Sequence, residues 1–186
     1  MLKVIARAAW PRTGAPSPGR RVYAARVSIR FYGLPTGFLT IAREVLRHIL
    51  RRPVVGIVVA GHTDDGRWLL IRRADTGTWA LPGGTVEWGE TLRQSYPREL
   101  EEEAGVVSST FERVTGIFSR PDRDPRFHAV TIVVRCRIEP PARPPVNPVE
   151  IREVRLFAAD ALPPMEAMGA REMLATALAE GPVHLE

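Results

Sequence analysis

With one cysteine in 186 residues, Cys136, the chain has no intrachain disulfide and suits a reducing cytoplasm. That residue lies in the apolar run VTIVVRCRI, where a small buried hydrophobe is expected rather than a reactive thiol. No stretch reaches the roughly 20 apolar residues of a membrane span, so no membrane partner is expected. Lysine is almost missing, since Lys3 is the only one among 26 basic residues. Together with the abundant Ala, Arg and Pro, this fits a GC-rich bacterial genome. Acid is almost missing from residues 1–53, where eleven Lys/Arg face Glu44 alone, giving +10 against −5 for the remainder. Such asymmetry suits a nucleic-acid-seeking or membrane-seeking tail, or a transit peptide. The basic residues are dispersed with no amphipathic period, which favours a loosely ordered arm or an upstream translation start.

What is present is ordinary for a globular protein: 45% apolar and 25% charged residues, enough for one domain plus an appendage. Residues 1–34 read as a basic arm, irregular over 11–20, with strand-like alternation from Arg21. Residues 35–52 read as a helix, with Phe38, Ile41, Val45, Leu46, Ile49 and Leu50 at helical spacing and Pro53 ending it. Its apolar face would cover the sheet or support a homodimer. Residues 53–186 form the main domain. VVGIVVA and RWLLIRR read as strands joined through the turn HTDDG, and TGTWALPGG as one short extended piece. FERVTGIFS, HAVTIVVRCRI and EVRLFA are further strands, and the proline-rich EPPARPPVNP between the last two is irregular. The composition of 164–180 suggests a closing helix, and the final HLE is set aside as a tag-like remnant. This order gives an α+β fold, an α/β/α sandwich around a mixed sheet.

The segment RELEEE carries the chemistry. On a helix, Glu99 and Glu103 stand at i and i+4, with Glu102 at i+3 from Glu99, so three carboxylates converge. Like charges at that spacing destabilise a bare helix. A hard cation such as Mg²⁺ or Mn²⁺ would neutralise them. A solvated acidic face is the alternative that spacing alone leaves open. The surrounding pattern decides: Gly84, Glu90, then Arg98-Glu99-Leu100, Glu102-Glu103, and Gly105-Val106.

Over 84–106 this fills every fixed position of the Nudix box, and the chain resembles the Nudix hydrolases across about residues 53–162. The resemblance implies a loop–helix–loop that binds divalent metal and hydrolyses a nucleoside diphosphate linked to another moiety. It implies Glu99, Glu102 and Glu103 as metal ligands, Gly83 as a backbone ligand, and Glu99 or a nearby acid assisting the attacking water. Arg98 and Glu90 match positions that buttress the helix through an ion pair. Pro97 falls inside the expected helix, so the helix should kink there or begin near it. An impaired or repurposed site would follow from a tilted Glu99.

Beyond the box, Pro121 and the segment RDPRFH resemble the ADP-ribose pyrophosphatase branch, implying cleavage to AMP and ribose 5-phosphate. Arg120, Arg123, Arg126 and His128 are the expected phosphate-side residues, because a guanidinium fork suits phosphate. Trp79 and Phe118 are candidates to stack on a base. Glu150 or Glu153 would supply a second acid, although prolines replace the family's usual acidic loop. Two alternatives stand: a nucleoside triphosphate or dinucleotide polyphosphate hydrolase, and a non-catalytic nucleotide sensor or nucleic-acid binder using the arm.

Overall fold

The computed structural model describes residues 40–46, 52–146 and 148–186. The chain divides into two units, Met1–Arg43 and Glu44–Glu186. The expectations for residues 1–34, and for most of the helix over 35–52, lie outside the described residues. Residues 40–46 are helical, with Ile41, Val45 and Leu46 exposed. No described helix is long and apolar enough to cross a membrane.

In chain order the second unit contains β1 (Val54–His62), β2 (Trp68–Arg73), β3 (Trp79–Ala80) and β4 (Gly83–Thr85). There follow α1 (Leu92–Ala104), β5 (Ser109–Phe118), β6 (Ala129–Ile138) and β7 (Ile151–Phe157). A 3-10 turn (Ala167–Gly169), α2 (Ala170–Leu178) and β8 (His184–Leu185) complete it. One mixed sheet runs β3-β2-β1-β6-β5-β8, with β4 paired to β1 and β7 to β2. At its centre β1 and β6 run parallel from Val54↔Ala129 to His62↔Arg137.

Alternation along β1 makes the sandwich. Ile57 and Val59 join Tyr96, Leu100 and Ala104 of α1 in one core. Ala60, with Leu70, Val133 and Phe118, joins Met173, Leu174 and Ala177 of α2 in the other. Successive residues of a strand face opposite sides, so one apolar strand serves both layers. Cys136 lies fully inside the first core, and burial pushes its thiol up to about 12, which leaves it inert. The α+β sandwich expected from the element order is the observed fold.

Several boundaries differ from expectation. TGTWALPGG splits into β3 and β4, because Pro82 has no N–H to continue a ladder, while its carbonyl accepts from the Val59 N–H at 2.8 Å. The box helix does not begin near Pro97. It starts after Thr91, whose N–H donates to the Gln94 side chain at 2.9 Å, and runs through Pro97 to Ala104. The closing helix is shorter than 164–180, because Met168 (φ +53°) and Gly169 (φ +74°) break the helical path before Ala170. The terminal HLE belongs to the fold after all: β8 pairs in parallel with β5, Gly116↔His184 and Ile117↔Leu185.

Candidate active site

Helix α1 is amphipathic in a particular way. Leu100, Tyr96 and Ala104 enter the core, and the adjoining face turns Glu99 and Glu103 toward β4. The helix ends at Gly105 (φ +67°), with the Gly105 N–H donating to the Glu101 carbonyl and the Val106 N–H to that of Leu100. A side chain at 105 would also collide with the Arg143 carbonyl, 1.8 Å from an ideal Cβ. The proline-rich segment therefore packs directly over the end of α1, where the Val146 N–H donates to the Glu102 carbonyl at 2.8 Å.

Gly83 and Gly84 bring the carboxylates close to the sheet. The Gly83 N–H donates to Glu103 Oε2 at 2.8 Å. An added Cβ at 84 would stand 2.5 Å from Glu99 Oε1. Glu99 is 6% exposed, and burial raises its pKa against the pull of Arg98. Burial pushes Glu103 up to about 7; the Gly83 N–H opposes this, and the charges of Glu99 and Glu150 add to it.

Arg98 organises the other acids. Its Nε and Nη2 form a two-pronged pair with Glu90 at 2.9 and 3.0 Å, and Nη2 also donates to the Thr85 carbonyl at 3.2 Å. Arg98 Nη1 stands 2.8 Å from Glu99 Oε1 and 3.1 Å from Glu102 Oε2. Hydrogen bonding to Arg98 holds the Glu90 carboxyl down at about 2. Glu101, on the outer face, pairs with Arg143.

A cleft of about 460 Å³ opens over this corner. Gly83, Gly84, Glu99, Glu103, Glu150, Arg123 and Arg126 line it, all of them singled out in the sequence. Glu90, Arg98 and Glu102 stand outside the lining. So do Arg120, which pairs with Asp122 and Glu186, and His128, whose Nε2 contacts the Ser119 carbonyl. Glu153, on β7, pairs with Arg155 of the same strand and with Arg72 of β2, outside the cleft lining. Neither aromatic candidate lines the cleft. Phe118 is only 2% exposed, within the second core, and Trp79 packs edge-on against Phe157 at 4.9 Å. Sequence reasoning missed Arg73, Asp124, Phe127 and Met168 in the lining. Phe127 lies in the RDPRFH segment already flagged for its charges, so its signal was available. Arg73 and Met168 carried none.

Among the described residues, no three acids, histidines or cysteines stand close enough to hold a metal ion unaided. The residues nevertheless fit a divalent ion. The carboxylates of buried Glu99 and half-buried Glu103 repel one another, Glu150 adds negative charge, and all three line one cleft. Such an oxygen set suits a hard cation that takes the rest of its shell from water and phosphate.

A Nudix domain model matches residues 50–177. The chain belongs to the Nudix family. A MutT Nudix hydrolase from Burkholderia pseudomallei is 32% identical, with a TM-score of 0.57 over 68% of this chain and 98% of its own. An ADP-ribose pyrophosphatase from Streptococcus suis is 25% identical, with a TM-score of 0.60 over 73% of this chain and 100% of its own. The ADP-ribose pyrophosphatase of Methanocaldococcus jannaschii is 44% identical over 72 residues, 37% of this chain and 42% of that protein. The chain spans about half the length, or less, of the curated relatives it matches.

Proposed function

We propose that this Nudix protein is a metal-dependent pyrophosphohydrolase that cleaves a nucleoside diphosphate linked to another moiety, with ADP-ribose the leading substrate and AMP and ribose 5-phosphate the products. One observation carries the reading: Glu99, buried, and Glu103, half-buried, line the same cleft as Arg73 and Arg126. Carboxylates for a cation and guanidinium groups for phosphate are the two charges that a metal–pyrophosphate complex needs.

In this reading Glu99 and Glu103 hold Mg²⁺ or Mn²⁺, with Glu102 joining when Arg98 releases it and Gly83 contributing backbone. A bound ion supplies neutralisation of the pyrophosphate charge and a water of lowered pKa. Glu99 or Glu150 accepts the proton of the attacking water. Arg98 and Glu90 act as positioning residues that fix α1 against the box loop. Arg126, exposed at the cleft and paired with Asp124, receives phosphate oxygens. Phe127, 37% exposed beneath the Arg126 guanidinium, takes the stacking role first assigned to Trp79 and Phe118. The ADP-ribose assignment draws on the relatives of that name and on the RDPRFH segment, which supplies Asp124, Arg126 and Phe127 to the lining.

The test is turnover of ADP-ribose, NADH, diadenosine polyphosphates, nucleotide sugars and nucleoside triphosphates with Mg²⁺, followed by chromatography. Glu99→Gln and Glu103→Gln should each cost about 100-fold or more. Phe127→Ala should raise KM for ADP-ribose about 10-fold with little change in kcat. Turnover confined to another compound would sink the ADP-ribose assignment and keep the chemistry. A second reading, a nucleotide sensor, is favoured by one observation: Arg98 engages Glu99 and Glu102 together. It predicts tight nucleotide binding with no turnover of any compound in the presence of metal.

A further inference from the structure

We propose that Glu186 is a positioning residue for substrate recognition, holding the loop between β5 and β6 in the shape that presents Arg126 and Phe127 to the cleft. The inference rests on the pyrophosphohydrolase reading for its kinetic consequence, but not for its geometry.

The loop over residues 119–128 has no helix or strand of its own, yet it supplies Arg123, Asp124, Arg126 and Phe127 to the cleft. A ten-residue irregular segment is costly to order, so something must fix it. Its first turn is fixed from behind by Glu186. Oε2 of that residue accepts the N–H groups of Ser119 and Arg120 at 2.7 and 2.8 Å. Arg123 Nε donates to Oε1 at 3.0 Å, and Arg123 Nη2 donates to the same oxygen. Two successive backbone donors and a guanidinium make a complete seat for one carboxylate. The strand β8 delivers it: the Glu186 N–H donates to the Ile117 carbonyl at 3.1 Å, and the His184 ring lies 5.0 Å from that of Phe118.

Arg123 carries the constraint onward. Its Nη2 also donates to Glu172 Oε2, in the first turn of α2, at 2.6 Å. Its guanidinium covers the Phe118 ring at 4.8 Å and packs so close to Gly169 that a Cβ there would fall 2.0 Å from Nη1. A residue with a 10% exposed side chain and two carboxylate partners is not free to grip phosphate. Arg123 therefore acts as the hub that ties the loop to α2 and β8, and Arg126 is left as the loop's phosphate-facing arginine.

Glu186→Ala empties the seat without touching the cleft. It should raise KM for the cleaved nucleotide about 10-fold with kcat within about two-fold. Amide hydrogen exchange at Ser119 and Arg120 should accelerate by about 10-fold or more. Acetate at tens of millimolar should refill the seat, lowering KM and restoring protection in Glu186→Ala while leaving wild type unchanged. Glu186→Gln, which keeps the side-chain volume, guards against a folding defect in the alanine variant and should lie between the two. Unchanged exchange at both amides would overturn the proposal, as would a KM defect that acetate does not relieve. If the wild type turns over nothing, the proposed function has failed. The seat is then judged by exchange and its acetate rescue alone.

Discussion

Gly84 leaves no room for a side chain, since a Cβ would stand 2.5 Å from Glu99 Oε1, closer than side chains tolerate. Gly84→Ala must therefore displace the Glu99 carboxylate. It should cost activity about 100-fold while lowering Tm by only a few degrees, as measured by turnover and thermal unfolding. Glu103 gives the clearest pH signature. Its folded pKa, about 7, lies above the ordinary 4.5, so the folded state holds this proton more tightly than the unfolded chain. Stability is then highest at low pH in this window and falls as pH rises from about 4.5 through about 7, with Glu99 contributing in the same direction. Glu90 and Glu186, both held near 2, act oppositely: their contribution is present above 4.5 and is lost as pH falls toward 2. Metal-free protein should thus show Tm declining between pH 5 and about 7.5. Glu103→Gln should flatten that decline, and Mg²⁺ should offset it in wild type only. A pH-independent Tm across this range in metal-free wild type would contradict the assignment. At this scale the convergence of Glu99 and Glu103 beside Gly83 and Gly84 was legible from their i, i+4 spacing, whereas Glu102, expected to join them, turns aside to Arg98 outside the cleft lining. The fate of Phe118 and Trp79 was not legible, because composition cannot say which side of a strand meets the core.

Two breakers test the account at the scale of elements. Gly105 is held at φ +67° beneath the Arg143 carbonyl, so Gly105→Ala brings both strain and collision. It should destabilise by about 1–3 kcal/mol in chemical unfolding. Pro97 lies inside α1 and gives up one backbone hydrogen bond. Pro97→Ala should stabilise the fold by about 1 kcal/mol and leave turnover within about two-fold. A large loss of activity would instead mean that proline sets the registry of Glu99 and Glu103. Most strands were readable from apolar runs bounded by turn residues. The exceptions have physical causes: β3 and β4 are two and three residues long, β8 is two, and such pieces exist only because a neighbouring strand offers a free edge. The shortened closing helix follows from Met168, a residue whose positive φ no propensity foretells.

For the molecule as a whole, the sheet assembles the site from distant pieces. The carboxylates come from α1, the arginines from β2 and the β5–β6 loop, and Glu150 from the turn just before β7. The sandwich was legible because strands of doubly apolar character require a helix layer on each face. The clasp at Glu186 was not, since it joins residues more than sixty positions apart through a single carboxylate. The central claim is that the paired acids of α1 and the arginines of the cleft serve one metal-assisted cleavage. Its most direct test is the release of AMP from ADP-ribose by the wild type with Mg²⁺, beside Glu99→Gln and Glu103→Gln. The account predicts stoichiometric AMP and ribose 5-phosphate from wild type and a loss of about 100-fold or more in both variants. Undiminished turnover in the two variants would contradict it, as would no turnover of any nucleotide by the metal-loaded wild type.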